Sequence, residues 1–259
     1  MLYFLLPAYN EEANIGALLD KIRALDPQLP RYQVLVVDDG STDATAERVR
    51  ERQSLMPVKV ISHRVNQGLP ASLQDGIAAF LESAADDTDV LITMDADNTH
   101  EPILVPQMLH WLQSRGDVDI VIASRYQKGG QEVGLALSRR AMSRVVNLML
   151  KAFFNIPGVT DYTSGFRAYR AEALRRAVKV YGARLIEATT FSATAELLLK
   201  LRCIGVKARE VPLVLRYDQK KGGSKMKVAQ TILDYFRMMF RVAASRQPRG
   251  LAKRECGGV

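Results

Sequence analysis

The chain has 259 residues, 47% hydrophobic and 25% charged, enough to bury one good core and ordinary in balance for a globular domain. Two cysteines, Cys203 and Cys256, lie far apart without ligand partners, which argues against a disulfide framework or zinc site and fits a reducing compartment. The formal charge of +8 calls for an anionic partner, and its clustering in segments with an apolar face favours a membrane surface over nucleic acid.

Residues 2–6, 33–38, 58–62, 89–94 and 118–123 are short runs rich in Val, Ile and Leu, bounded by polar or turn residues, and are predicted strands. The first, directly after Met1, has no basic segment before it and no small-residue cleavage site after it, so it reads as a strand rather than a signal peptide. Between the first two strands, Ile15, Leu18, Leu19, Ile22 and Leu25 keep the helical period until Pro27 stops it. Further helices are predicted over 43–53, 69–84 and 102–115. Strand–helix alternation of this kind means an α/β fold with a mostly parallel sheet and right-handed crossovers.

The second half breaks the rhythm. A helix is predicted over 134–155, with Leu137, Ala141, Val145, Leu148 and Ala152 on one face and Arg139, Arg140, Arg144 and Lys151 beside it. Another covers 189–204, a strand 206–217 and a loop 218–224. A last amphipathic helix over 225–246 sets Ala229, Ile232, Leu233, Phe236, Phe240 and Ala243 opposite Lys227, Arg237, Arg241 and Arg246. The division expected is a catalytic unit over 1–218, a basic loop and C-terminal helix over 219–247, and a disordered tail over 248–259. No apolar run approaches the length of a membrane span.

Chemistry gathers where strands end. The first leads into Pro7-Ala8-Tyr9-Asn10-Glu11, the second into Asp38-Asp39-Gly40-Ser41, and the fourth into Asp95-Ala96-Asp97-Asn98-Thr99-His100. Open α/β sheets bind ligands at the carboxyl ends of their strands. Two carboxylates one residue apart repel each other unless a cation lies between them, and hard oxygen ligands point to Mg²⁺ or Mn²⁺ beside a diphosphate. An Asp-x-Asp is weak alone, since Asp is common in turns. Three such motifs in successive units are a far less ordinary coincidence. His63, His100 and His110 are scattered and receive no catalytic role, and Trp111 sits at a helical apolar position that suits the core.

These motifs, with Asn66-Gln67-Gly68, resemble the ordered signatures of family 2 glycosyltransferases, which have the GT-A (Rossmann-like) fold. Ser124-Arg125-Tyr126 and Asp161-Tyr162-Thr163-Ser164-Gly165-Phe166-Arg167 narrow the resemblance to polyprenyl-phosphate sugar synthases, the dolichol-phosphate mannose synthase type. The resemblance spans roughly residues 2–227. It implies that Pro7, Tyr9, Glu11, Val37 and Asp39 hold the donor nucleoside and that Asp95, Ala96 and Asp97 hold metal and diphosphate. Arg125 and Lys225 would close on the donor phosphates, while Arg139 and Ser143 would receive the acceptor's phosphate. Thr99 stands where some relatives have Gln, so it is not counted as a metal ligand; the role of Lys220 or Lys221, where an Arg often precedes Gly-Ser-Lys, stays open.

The activity so implied is inverting transfer of a sugar, mannose by preference, from a nucleotide-sugar to a polyprenyl phosphate, with GDP-mannose the favoured donor and UDP-sugars the second choice. The metal would be Mg²⁺ or Mn²⁺, and the catalytic residues Asp97, Arg125 and Asp161. The rival expectation is transfer to a hydroxyl, which needs a general base; Asp161 is the candidate, with capping of its own turn the alternative role. A scaffold that has lost catalysis is disfavoured by the intact Asp95, Asp97 and Arg125. The expected location is the cytoplasmic face of a membrane, held peripherally by the two amphipathic helices. Packing on the sheet or an oligomer interface is the alternative use of those helices, and a membrane subunit or a second copy is a further partner candidate.

Overall fold

The computed structural model describes residues 1–114, 116–222 and 228–244, the side chains of Val228 and Ala229 excepted. Lys225, Lys227, Arg246, Cys256 and the tail from 248 lie outside the described residues.

The first half follows the expected alternation: β1 (Leu2–Ala8), α1 (Ile15–Arg23), β2 (Tyr32–Asp38), α2 (Thr45–Arg50), β3 (Val58–Ser62), α3 (Leu69–Ser83), β4 (Val90–Thr93), α4 (Val105–Ser114) and β5 (Ile120–Ser124). There follow β6 (Gln131–Val133), α5 (Leu137–Phe154), β7 (Arg167–Arg170), α6 (Ala171–Tyr181), α7 (Ala193–Cys203), β8 (Ala208–Pro212), β9 (Val214–Arg216) and α8 (Val228–Ala244). Seven strands form one sheet in the order β3-β2-β1-β4-β7-β5-β8, and β6 and β9 pair in a small second sheet.

All pairings in the large sheet are parallel except those of β7, which runs antiparallel between β4 and β5. Strand side chains alternate between faces, and both faces are covered. Tyr3, Leu5, Leu35 and Val37 point into one core with Leu73, Ile77 and Phe80 of α3. Phe4, Leu6, Val34 and Val36 point into the other with Ile15, Leu18 and Ile22 of α1 and Met108 and Leu112 of α4. Burial on both faces is why these strands read as continuous apolar runs.

The second half differs from expectation in several elements. The predicted strand 206–217 breaks at Leu213 into β8 and β9, which belong to different sheets. Neither β7 nor α6 was anticipated, because Arg167-Ala168-Tyr169-Arg170 is short and half polar; the Arg167 side chain is nonetheless fully buried and donates to the carbonyls of Tyr162 and Thr194. The predicted helix over 134–155 starts three residues later, after the short strand β6.

The α5 stripe does not pack on the sheet. Its buried side is Val146, Asn147 and Leu150, whereas Leu137, Val145 and Leu148 face outward, Leu148 at 71% exposure. On α8, Tyr235, Met238, Met239 and Val242 are buried while Leu233, Phe236 and Phe240 stay exposed, Phe240 at 76%. Asp234 anchors that helix, accepting from Thr189 N at 3.2 Å, Thr190 Oγ1 at 2.9 Å and Ser192 Oγ at 2.5 Å. Among the described residues no helix is long and apolar enough to cross a membrane.

Candidate active site

Because β1, β2, β4 and β5 run the same way, their carboxyl ends open on one edge of the sheet. The antiparallel β7 enters from that edge, so the loop 161–166 before it lands beside Asp95 and Arg125. Pairing of β8 with β5 brings the chain after Pro212 to the same place. Tight turns follow the strands: Asn10 and Asn98 take left-handed backbone, φ 53° and 63°, a conformation Asn tolerates better than most residues.

Beyond the ends of β1 and β2, Glu11 is buried, receives the Asn14 amide on Oε2 at 2.7 Å, and gives its own N–H to Thr45 Oγ1 at 2.7 Å. Pro7 and Tyr9 are half-buried beside it, and Val37 is fully buried in β2. Asp39 is the hub of the Asn66-Gln67-Gly68 turn, accepting from Gln67 N and Gly68 N, each at 2.8 Å.

At the carboxylate pair, Ala96 is buried while Asp95 stands out with 51% of its side chain exposed. Gly165 lies so close that a Cβ there would sit 3.0 Å from Asp95 Oδ1. Although half of the side chain is exposed, the protein crowding the Asp95 carboxylate desolvates it and raises its pKa; His100 opposes that rise and Asp97 adds to it. His100 orders the turn, its Nδ1 accepting from Asp95 N at 3.1 Å while its ring stacks on Phe166. Asp97 is partnered by Thr99 Oγ1 at 2.7 Å and by Lys220 Nζ at 2.6 Å. Burial works against the Asp97 charge, but Lys220 and Thr99 outweigh it and hold the pKa low.

Lys220 arrives on a loop latched to the first half of the chain. Asn14 exchanges two hydrogen bonds with the Lys221 backbone, each 2.9 Å, and Lys21 reaches Gln219 at 2.5 Å. Of the two lysines, Lys220 faces the carboxylates, while Lys221 contributes its backbone.

The fit to a divalent cation follows from this set. Asp97 already holds a cationic partner, and Asp95 carries a charge that desolvation disfavours. Among the described residues no three His, Cys, Asp or Glu side chains gather into a complete metal cage. Two carboxylates with the other positions left to water and phosphate oxygens is how Mg²⁺ and similar ions sit beside diphosphates, so the residues fit.

Arg125 and Asp161 form a buried bidentate pair. Arg125 Nε and Nη2 donate to Asp161 Oδ2 and Oδ1 at 2.8 and 2.7 Å, and Nη2 also reaches Thr163 Oγ1 at 2.7 Å. Asp161 further accepts from Arg125 N at 3.1 Å and Ser164 N at 3.0 Å, and it is fully buried. Burial alone would raise its pKa; the Arg125 guanidinium reverses that and holds it below the usual range. Arg125 therefore spends its bidentate face on Asp161, and only Nη1, 3.6 Å from Glu132 Oε1, is left toward an anion.

Arg139 and Ser143 sit on the inner side of α5, where Arg139 Nη1 donates to the Tyr217 hydroxyl at 2.8 Å and Ser143 Oγ accepts from the Tyr126 hydroxyl at 2.9 Å. Tyr217 also lies under Lys220, its ring centroid 5.6 Å from Nζ, so Arg139 and the Asp97 partner share one tyrosine. Three participants received no assigned role from the sequence: Lys220 on Asp97, Gly165 against Asp95, and His63, whose ring lies 2.7 Å from Asp39 Oδ1. The Gly-Ser-Lys neighbourhood hinted at the first; the other two depend on contacts between distant segments.

The pattern of the family described as glycosyl transferase family 2 matches residues 3–177. A dolichol-phosphate mannosyltransferase of Pyrococcus furiosus is 33% identical over 92% of the chain, which spans 62% of that protein's length. An undecaprenyl-phosphate mannosyltransferase of Micrococcus luteus is 31% identical, with 86% of each chain covered. Among solved structures, glucosyl-3-phosphoglycerate synthase from Mycobacterium tuberculosis, in complex with Mn²⁺, UDP and phosphoglyceric acid, superposes with a TM-score of 0.68 at 20% identity, covering 97% of this chain and 81% of that one. At that identity the likeness establishes the fold: a mixed, mostly parallel GT-A sheet flanked by helices.

Proposed function

The chain belongs to glycosyl transferase family 2, and from that premise we propose that it transfers a sugar, mannose by preference, from a nucleotide-sugar to the phosphate of a polyprenyl lipid. The observation that carries this reading is the placement of Arg139 and Ser143 on the inner side of α5 while its opposite side exposes Leu137, Val145 and Leu148. One helix thus offers phosphate-binding groups to the cleft and apolar surface to a bilayer, the needs of a headgroup that stays at the membrane. The names of the Pyrococcus and Micrococcus relatives support the same acceptor class and favour mannose.

In this reading Glu11, Asp39 and Tyr9 hold the nucleoside. Asp95 and Asp97 would hold Mg²⁺ or Mn²⁺, which when bound neutralises charge building on the leaving diphosphate. Lys220 adds a mobile positive charge at the same place. The acceptor phosphate, with a second pKa of about 6, is already largely dianionic at neutral pH and attacks without a base. One in-line displacement then inverts the anomeric carbon. Asp161 is assigned to positioning: all its described partners are donors and its charge is locked on Arg125, which leaves little basicity for a hydroxyl acceptor. Arg125 keeps the β5 end and the 161–166 loop together and presents Nη1 to the cleft. The protein would work peripherally at the cytoplasmic face of a membrane, through α5 and the exposed side of α8.

A second reading, transfer from a UDP-sugar to a small phosphorylated acceptor through its hydroxyl, is suggested by the ligands of the mycobacterial structure. A panel of GDP- and UDP-sugars, assayed against polyprenyl phosphate in anionic vesicles and against 3-phosphoglycerate, separates the two. The expected product is a mannosyl phospholipid, with the protein sedimenting with the vesicles and Leu148→Glu reducing that binding. Exclusive glycosylation of 3-phosphoglycerate, with no vesicle binding in low salt, would overturn the proposal.

A further inference from the structure

His63 follows β3, and its side chain is only 5% exposed. Its Nδ1 lies 2.7 Å from Asp39 Oδ1 and its Nε2 lies 2.9 Å from Asp75 Oδ2. Ionised carboxylates only accept hydrogen bonds, whereas a neutral imidazole has one N–H and one lone pair. A neutral ring would therefore turn a lone pair toward one of the two carboxylates. Only the imidazolium donates to both.

What the ring holds is the nucleoside end of the cleft. A carboxylate offers about four lone-pair positions. On Asp39, His63 Nδ1 and Gln67 N occupy Oδ1, and Gly68 N occupies Oδ2. Among the described residues this leaves one position, on Oδ2, for a ligand donor such as a ribose hydroxyl or a base N–H. The surrounding backbone has no slack: Asp39 N donates to Ala8 O, His63 N donates to Asp38 O, and a Cβ on Gly40 would lie 2.5 Å from the Val65 carbonyl carbon. With Gln67 N and Gly68 N, the ring is the third donor that fixes the Asp39 rotamer, and with it the free lone pair.

We propose that His63, as an imidazolium bridge between Asp39 and Asp75, is the positioning residue of the donor nucleoside site and makes nucleotide affinity fall as pH rises. This rests on the donor-site reading of Asp39. The charged side chains facing the ring are Asp39, beyond the end of β2, and Asp75, from α3; the Asp38 backbone forms its other flank. Burial disfavours the charged ring, but the hydrogen bonds and attraction of the two carboxylates outweigh it and raise the pKa above the ordinary 6.5. The contribution of the bridge is thus complete below that ordinary value and fades as pH rises through the raised one. Asp75, with 55% of its side chain exposed, is a lever on the ring through Nε2, the nitrogen that Asp39 does not engage.

The test pairs two measurements on the full chain. Side-chain ¹⁵N NMR of the nucleotide-free protein is expected to show His63 protonated at neutral pH, with its titration moved to lower pH in Asp75→Asn. Calorimetry with GDP and with UDP, in Mn²⁺ and across the same pH range, is expected to show wild-type affinity falling about tenfold from acid to alkaline pH, the scale of one charge-assisted hydrogen bond. His63→Gln should bind with a flattened profile, and Asp75→Asn with one displaced toward acid. A neutral His63 at neutral pH, or identical profiles in wild type and both variants, overturns the bridge. Failure of both nucleotides to bind at any pH, with the NMR titration as expected, refutes instead the donor-site reading and with it the positioning role.

Discussion

Replacing Asp161 by Asn changes one oxygen to an amide and removes one charge, and the structure sets the size of the effect. Asp161 is fully buried and accepts from three groups of Arg125, Nε, Nη2 and the backbone N–H, and from Ser164 N. An amide of the same shape keeps one acceptor and turns its NH₂ toward a donor. The guanidinium is then left buried with, among the described residues, only Glu132, 3.6 Å away, to balance it. Removing one partner of a buried pair costs about 3–5 kcal/mol, and Asp161→Asn is expected to fall in that range at neutral pH. The loss should depend on acidity with a definite sign. Arg125 depresses the Asp161 pKa below its ordinary 3.8, so the wild-type advantage is present above that value and disappears as pH falls through the depressed one. Urea unfolding followed by circular dichroism, at neutral and acid pH, reads both quantities. The Arg125→Met and double variants complete a cycle that isolates the pair. A loss under about 1 kcal/mol, or one that does not shrink in acid, refutes the buried-pair account. A variant of wild-type stability but without turnover would return Asp161 to the general-base role.

Lys220→Gln removes the cation on Asp97, so Mn²⁺ binding to the nucleotide-free protein, read by electron paramagnetic resonance, is expected to tighten by about tenfold, while affinity for a nucleoside diphosphate weakens by a similar factor. Unchanged Mn²⁺ binding would show that Lys220 does not compete for that carboxylate. Gly165→Ala places a methyl 3.0 Å from Asp95 Oδ1 and should lower Mn²⁺–nucleotide affinity by about tenfold or more, at a stability cost of about 1–3 kcal/mol. Wild-type affinity in that variant would mean the Asp95 rotamer is free to move without consequence.

Sequence and structure divide the molecule unevenly. The five strands of the first half, and the placement of Asp39, Asp95 and Asp97 at strand ends, were legible because buried strands are apolar runs and turns are polar. Local pattern reports local geometry. The helical stripes on α5 and α8 were equally plain, yet periodicity cannot say what lies opposite a stripe. The packing of Val146 and Leu150 on α5, and of Tyr235 and Met238 on α8, left the expected apolar faces outside. The strand β7 is not legible because Ala168 and Tyr169, which enter the two cores, are flanked by arginines, and the burial of Arg167 is tolerable only with the carbonyls of Tyr162 and Thr194 in reach.

By itself the amino-acid sequence determined the alternating fold, the carboxylate pair and the family to which they belong, since each is written in residues close together along the chain. The tertiary structure alone decided what those groups do to one another. The reversal of β7 carries Asp161 and Gly165 to the edge where β4 and β5 end, which couples Asp161 to Arg125 across 36 residues. The return of the chain after β9 brings Lys220 to Asp97 across 123 residues. Charges that far apart in sequence set each other's ionisation only because the sheet places them within a hydrogen bond, and no local pattern encodes that distance.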